Sequence, residues 1–529
     1  MRRIYFLLIV IVIIASALRF YRLDSAPASI SWDEASVGYN AWTIANYGRD
    51  EYGKLFPAYF RSFGDDKHPV HVYATAISVK LLGLSEFSTR LPSAIFGILN
   101  VILIFFLARL LFKNDILALA AAFFLAISPY SIHFSRFNHE ANLALAFFML
   151  GLILFFLSLK EKKGLLPLSA LSFGITFLTY HPSKIMVPTV VILLVVLYGK
   201  QVLKNRIGLL GVFAVGLVFF LLIFFNPGLL GIARINQTSL SKESIVKTKL
   251  YKLTHNEFLG RINLTFIQYT WHFSINYLFV SGDKNSRLSD QATGEFYRLD
   301  ALFLLFGLAY LFFKRSKEGF VLLVWALIAP IPSALVAEAP HAARAMYMMG
   351  SWHLISAVGF YFVLNLLRKP ILKAGFAVAS VTILLFLLYG YLNYYYGEFV
   401  KRYAIDWQYG MKQIVEYVKD QQEYTQIFMT EERSQPYIFF LYYLKTPLSE
   451  YLNSVIYNNS ISKSHSTVSF YDRYYFGGWD PIESFPNKGV LYILTPSQYD
   501  GLRYKLVFET KKIIYYPNGI TAYFIVTAK

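Results

Sequence analysis

The chain contains no cysteine. Disulfide bridges and thiolate metal sites are therefore excluded, while the redox compartment stays open. Charge is scarce as well, since only 16% of the 529 residues are Asp, Glu, Lys or Arg, against about 25% in ordinary soluble domains. Acids are the scarcer sign, 32 against 50 Lys and Arg, which leaves a formal net charge of +18. What fills the space is apolar and aromatic: 56% of the chain is hydrophobic, with 48 Phe and 40 Tyr. By length alone the chain would hold three or four soluble domains of about 150 residues each. Its positive mean hydropathy points instead to a polytopic membrane protein.

A basic balance of this size also raises nucleic acid as a partner, so the position of the cations matters more than their sum. They fall between apolar runs: Arg2 and Arg3, Lys113, Lys160 to Lys163, Lys200 to Arg206, Lys314 to Lys317, and Arg368 to Lys373. Read as cytoplasmic loops, these clusters orient every span by the positive-inside bias, and no nucleic acid partner is needed. Spans are expected at residues 4–18, 91–112, 116–130, 141–159, 165–180, 185–198, 207–225, 299–313, 320–337, 346–367 and 371–390. That is about eleven crossings, given roughly 20 residues for each helix. The run at 70–84 is short and carries His71 and Lys80; had it crossed, every later basic loop would face outward. It is read as an interfacial helix, which makes 19–90 one long external loop. Arg2 and Arg3 followed by an apolar run and Ala15-Ser16-Ala17 also fit a secretory signal, and the downstream topology is the same either way.

After Gly390 the composition turns polar and mixed. A helical pattern at 407–419 puts Met411, Ile414, Val415 and Val418 on one face, and short β-like runs follow at 426–429, 490–494, 505–508 and 513–516. The segment 391–529 reads as a small external α/β domain, and 1–390 as the membrane domain with a second long external loop at 226–299.

On this topology the outward-facing polar residues are Asp33 and Glu34; Asp65, Asp66, Lys67 and His68; Arg136, His139 and Glu140; His181 and Lys184; and Glu338, His341 and Arg344. Each has a bland reading. Ser31-Trp32-Asp33-Glu34 is a Ser-x-x-Glu capping box, with Asp33 beside the positive end of the helix dipole. Lys67 and Arg136 could be snorkelling anchors. His181-Pro182 and Pro340-His341 could merely end helices. Yet acids and cations recur at successive outer ends, and the inner loops are simply basic.

The order of these motifs resembles that of family 39 glycosyltransferases: Asp33-Glu34 after the first span, Lys67-His68-Pro69 opening the interfacial helix, Arg90-Leu91-Pro92-Ser93-Ala94 entering the next span, then Ser135-Arg136-Phe137-Asn138-His139-Glu140. These are membrane enzymes of the GT-C fold, related to protein O-mannosyltransferases and to the aminoarabinose transferase of lipid A. Phe279 to Arg287 and Pro340-His341-Ala342-Ala343-Arg344 fit the bacterial, cell-envelope members. The chain departs from the family where Lys-Pro-Pro is often found, having His68 in the middle, and where many members carry Asp at the position of Glu140. The Trp-Trp-Asp signature of oligosaccharyltransferases is absent, with Gly478-Trp479-Asp480 a poor substitute, which argues against transfer of a whole oligosaccharide.

The resemblance implies a polytopic GT-C-like α-helical membrane protein in the plasma membrane. Its active site and C-terminal domain would lie on the extracytoplasmic side. It would transfer a single sugar, with inversion, from a polyprenyl-phosphate donor to a protein, lipid or glycan acceptor. Such a reaction needs a proton acceptor and cations for the departing phosphate, and no nucleotide. Asp33 is the expected general base, Glu34 is divided between cap and catalysis, and Glu140 is the expected second carboxylate. Lys67, His68, Arg136, His341 and Arg344 are expected at the donor phosphate, and Asp283, Asn285, Arg287 and His181 at the substrate. No cofactor is required on this reading, although the acids present could serve a divalent ion. A lipid-linked sugar flippase or other secondary transporter is the alternative; it predicts ionisable residues within the spans, where few stand. A third reading, an idle scaffold, would tolerate loss of Asp33, Lys67 and Glu140 together.

Overall fold

The computed structural model describes residues 2–160, 164–231, 237–458, 466–479 and 486–529. Most of the basic cluster at 160–163, part of the 226–299 loop and Asp480 lie outside the described residues. The chain forms two compact units. One comprises Met1–Tyr21, Asp65–His71 and Ser93–Tyr394; the other comprises Arg22–Gly64, Val72–Pro92 and Tyr395–Lys529.

The first unit is helical. Among the described residues eight helices are long and apolar enough to cross a bilayer: α1 (Arg2–Phe20), α4 (Glu86–Phe112), α7 (Ala141–Ser158), α9 (Ser183–Leu203), α10 (Arg206–Phe225), and those at Lys317–Ala334, Met348–Leu366 and Pro370–Arg402. These carry apolar residues all round, as a helix must where lipid or protein covers every face. The other three expected crossings form shorter helices. Residues 116–130 break after the 13-residue α5 (Asp115–Ile127), because Ser128 caps a new short helix, α6 (Pro129–Phe134), with Pro129 in its first turn. The second, α8 (Leu165–Phe177), also has 13 residues. Each therefore rises only about 20 Å, against a hydrocarbon core of about 30 Å. The third runs over Arg298–Lys314 and stops at Arg315, whose φ is +47°. The run at 70–84 forms α3 (Pro69–Leu82), 14 residues long. The Arg298–Lys314 and Met348–Leu366 helices come into backbone contact at Gly307 and Gly359, where an added Cβ would strike Ile355 O and Phe303 O. Small residues permit such close approach in membrane bundles.

The second unit is built on a seven-stranded mixed sheet of order β4-β5-β6-β3-β7-β9-β8. Its centre is β3 (Gln426–Thr430), parallel to β6 (Tyr474–Gly477) on one side and β7 (Val490–Leu494) on the other. Both β3 and β7 are almost wholly buried, which suits their continuous apolar sequences. The outer strands β4 (Ile456–Tyr457), β5 (Val468–Tyr471), β8 (Phe508–Tyr515) and β9 (Thr521–Ala528) pair antiparallel. Residues 505–507, expected to begin a strand, form a turn of 3₁₀ helix, and β8 starts at Phe508. The Met411–Lys419 helix buries the expected face of Met411, Ile414, Val415 and Val418. A second helix, Pro436–Leu444, is apolar throughout and shares one core with the sheet and with α2 (Trp32–Tyr47). Most of the segment read as the first external loop thus folds with the C-terminal sheet.

Candidate active site

Asp33 stands in the first turn of α2, partly exposed, with Ser31 as the N-cap. The Ser31 hydroxyl accepts the Glu34 N–H at 3.3 Å, and the Glu34 carboxylate accepts the Ser31 N–H at 3.0 Å. Glu34 is also ion-paired with Arg90, Nε to Oε1 at 2.9 Å, with both side chains fully buried. Arg90 donates further to the carbonyls of Leu23, Pro27 and Ser29. A buried ion pair survives desolvation only when its remaining protons and lone pairs are used in this way. Glu34 thus completes the Ser31 cap of α2 and pairs with Arg90 at the same time.

The helical unit gathers a separate polar cluster. Lys67 closes the short strand β2 (Asp65–Lys67), and His68 and His71 follow at the start of α3. Glu140 stands at the N-cap position of α7, 3.7 Å from His139 Nδ1. Burial pushes the Glu140 carboxyl up, but His139, His71 and Lys67 outweigh it and hold the group below its usual value. Glu140 is thus an anion ringed by cationic or cation-forming groups. His71 Nε2 meets Asn138 Oδ1, tying α3 to the loop before α7.

His68 is buried, and its ring stands edge-on to His181 with centroids 4.3 Å apart. Burial, then His181 and Lys184, push the His68 imidazole well below its ordinary value, so it is neutral. Its Nε2 is buried without a hydrogen-bond partner. Lys184 Nζ lies 3.3 Å from His181 Nδ1. Gly231 closes in on the same pair, at φ +65°.

Asp283 and the Pro340–Arg344 motif meet, although nearly 60 residues separate them. The buried Asp283 carboxylate accepts the Ala342 N–H at 2.6 Å and the Asn285 N–H at 2.8 Å. Burial raises it to about 6, in spite of those two N–H groups and the nearby Arg344. Asn285 Oδ1 accepts the Arg287 N–H at 3.0 Å, so Asp283 and Asn285 form successive Asx turns that run on to Arg287. The Arg287 carbonyl lies 3.0 Å from His133 Nε2. His341 Nδ1 accepts the Arg344 N–H at 3.3 Å, and Arg344 donates to Ala337 O at 2.6 Å.

Arg136, expected at the donor phosphate, lies against the end of α1. Its fully buried guanidinium donates to Leu18 O at 2.9 Å, Arg19 O at 3.3 Å and Tyr21 O at 2.6 Å. These are carbonyls at the C-terminal end of α1, which the helix itself leaves without N–H partners. His71, Asn138 and Gly231 were given no site role from sequence, and Lys184 was noted only as outward-facing beside His181. Helical spacing could have flagged the cations, since His71 follows Lys67 by four residues and Lys184 follows His181 by three. Among the described residues no three His, Cys, Asp or Glu side chains form a group that could hold a metal ion.

The fold and this cluster define a multi-pass integral membrane protein with charged and imidazole groups gathered at helix ends, joined to a mixed-sheet unit. Residues 66–224 match the family model described as dolichyl-phosphate-mannose-protein mannosyltransferase. The fold is that of ArnT: the chain matches the crystal structure of ArnT from Cupriavidus metallidurans in the apo state with a TM-score of 0.58 at 12% identity, covering 98% of this chain and 97% of that one. The same enzyme bound to undecaprenyl phosphate matches with a TM-score of 0.57 at 13% identity, over the same shares of the two chains. The archaeal oligosaccharyltransferase AglB from Archaeoglobus fulgidus, in complex with an inhibitory peptide and a dolichol-phosphate, matches with a TM-score of 0.52 at 15% identity, over 83% of this chain and 63% of that one. Among curated proteins none matches.

Proposed function

We propose that this protein is a membrane glycosyltransferase that moves a single sugar, a hexose or a close relative, from a polyprenyl-phosphate donor to an acceptor at the outer face of the plasma membrane. The observation that carries the reading is the cluster of Lys67, His68, Glu140, His181 and Lys184, drawn from three separate segments within the stretch that matches the mannosyltransferase model. The undecaprenyl phosphate held by the fold relative supports the same donor class. The positive-inside distribution of Lys and Arg supports the outer face.

In the reaction the acceptor hydroxyl oxygen attacks the anomeric carbon as the bond from that carbon to the phosphate oxygen breaks. The electron pair leaves with the phosphate, the hydroxyl proton passes to Asp33, and the configuration inverts. A positioned carboxylate base contributes about 10²–10⁴-fold. Lys67 and Lys184 supply fixed positive charge for the departing phosphate, which gains negative charge as the bond breaks. Neutral His68 offers a ring N–H to a phosphate oxygen without adding charge, and the His181 ring stands beside it. Glu140 steadies positive charge developing on the sugar ring or orients the acceptor. Asp283 holds the backbone of Ala342, and with it His341 and Arg344, beside the donor or acceptor.

The test is release or transfer of label from a panel of radiolabelled polyprenyl-phosphate hexoses by the purified full-length protein in lipid nanodiscs. Asp33→Asn should lower kcat by at least 100-fold with the fold intact, and Lys67→Ala should raise KM for the donor. Unchanged turnover in Asp33→Asn would overturn the assignment of the base.

A further inference from the structure

The side chain of Gln408 reaches α2 from a position 376 residues away in sequence. It is 2% exposed, and its Oε1 accepts the Trp32 N–H at 2.8 Å, one residue before Asp33. Its Nε2 donates to the Arg433 carbonyl at 3.0 Å. A helix begins with four backbone N–H groups that no helical carbonyl can take. In α2 those of Ser31 and Glu34 are used within the capping box, and that of Trp32 is taken by Gln408. The cap therefore fixes the helix internally, and Gln408 fixes it to the C-terminal fold.

The backbone around this contact is strained. Gln408 has φ +52°, and its carbonyl partners lead into Ser434 at φ +62° and Gln435 at φ +49°. Residues with a Cβ seldom adopt this conformation, and they hold it only when surrounding contacts over-determine it. Further along α2 the same fold grips the helix twice more. The Tyr39 hydroxyl donates to Thr446 O at 2.8 Å, and the Tyr442 ring lies so close to Gly38 that an added Cβ would come within 2.5 Å of it. The Tyr442 hydroxyl meets Thr89 Oγ1 at 2.8 Å, one residue before the Arg90 that pairs with Glu34.

We propose that the C-terminal sheet unit is part of the catalytic apparatus, and that Gln408 is a positioning residue that sets the first turn of α2 and hence the direction of the Asp33 carboxylate. This rests on the reading of Asp33 as the base. A base displaced by about an ångström loses much of its effect even when its chemistry is intact. Gln408 touches no reacting atom, so its loss lowers kcat and leaves donor KM unchanged.

The experiment uses the full-length protein in nanodiscs, with Gln408→Met, which keeps the length of the side chain and removes its polar atoms, and Gln408→Glu, which keeps the acceptor facing Trp32. Amide hydrogen exchange is followed in the peptides covering 30–38 and in those covering β3 and β7, and turnover is measured with undecaprenyl-phosphate [¹⁴C]mannose and the other labelled hexoses of the panel. Gln408→Met is expected to speed exchange in 30–38 by at least ten-fold with β3 and β7 unchanged, and to lower kcat by at least ten-fold at constant KM. Gln408→Glu is expected to recover part of both. Unchanged exchange in 30–38, equal loss of protection across the sheet, or a change in KM alone would overturn the proposal. Full activity in Asp33→Asn would instead remove the base reading, which separates the two failures.

Discussion

Gly231 has a backbone φ of +65°, and a Cβ built there would lie 2.5 Å from His181 Nδ1 and 2.9 Å from Lys184 Nζ. Both facts require glycine: the conformation disfavours any other residue, and the space belongs to the two side chains. Gly231→Ala is therefore expected to push His181 and Lys184 apart. Donor turnover should fall by ten-fold or more, while melting of the purified protein changes only by the equivalent of about 1 kcal/mol of backbone strain. Activity equal to wild type would mean that the His181–Lys184 pair is not at the donor. At this scale the sequence identified the polar residues more readily than their partners. The Ser31–Glu34 cap was legible because its spacing has a local mechanism. The contacts of Arg136 with α1 were not, because nothing in the local sequence says which carbonyls an arginine beside a helix end will reach.

The same distinction governs α2 as an element. Its start was readable, but its neighbours were not, since Arg90, Gln408 and Tyr442 come from remote parts of the chain. Removing one half of the buried Arg90–Glu34 pair leaves the other charge without compensation. Arg90→Ala is expected to cost about 3–5 kcal/mol, and the double substitution Arg90→Met with Glu34→Met to recover most of that loss. The melting temperatures of wild type and these two variants check it; a double variant no more stable than Arg90→Ala would mean that an uncompensated charge is not the cause of the loss. Glu51 makes α2 sensitive to pH. Its fully buried carboxyl accepts from Asn40 of α2 at 2.9 Å and from the Tyr437 hydroxyl at 3.3 Å. Burial raises it from 4.5 to about 7, against the opposing effect of the Asn40 hydrogen bond. The folded state then keeps a proton that the unfolded chain has released, so this group's contribution to stability falls as pH rises from about 4.5 to about 7 and is flat above. Glu51→Gln should remove that slope. If the melting difference between wild type and Glu51→Gln is constant from about pH 4.5 to about pH 7.5, the buried proton is absent.

Across the whole molecule, legibility followed the period of the pattern. Long apolar runs between basic loops are redundant signals, and eight of the expected crossings have the length and composition of spans. The sheet was read in part: β3 and β7 have apolar centres, whereas β5 and β6 are four residues each with Ser, Asp, Arg and Gly in or beside them and resemble loop; β9, with its Ala522 to Val526 run, carries a strand signal that the expected strands leave out. Which strands pair, and that most of the first external segment folds with them, depends on contacts across hundreds of residues that no window of sequence contains. The direction of the chain through the bilayer can be tested directly, because the chain has no cysteine to give background labelling. Single substitutions Lys200→Cys, Lys314→Cys and Lys369→Cys should react with a membrane-impermeant maleimide only after permeabilisation. Glu257→Cys and Asn518→Cys should react in intact cells. The two groups are expected to separate cleanly, since each basic cluster flanks at least one span and inverting a single loop would need an odd number of crossings between neighbouring clusters. Labelling of Asn518→Cys only after permeabilisation would put the sheet unit in the cytoplasm, away from a donor presented at the outer leaflet, and would overturn the outer-face reading while leaving the fold unaffected.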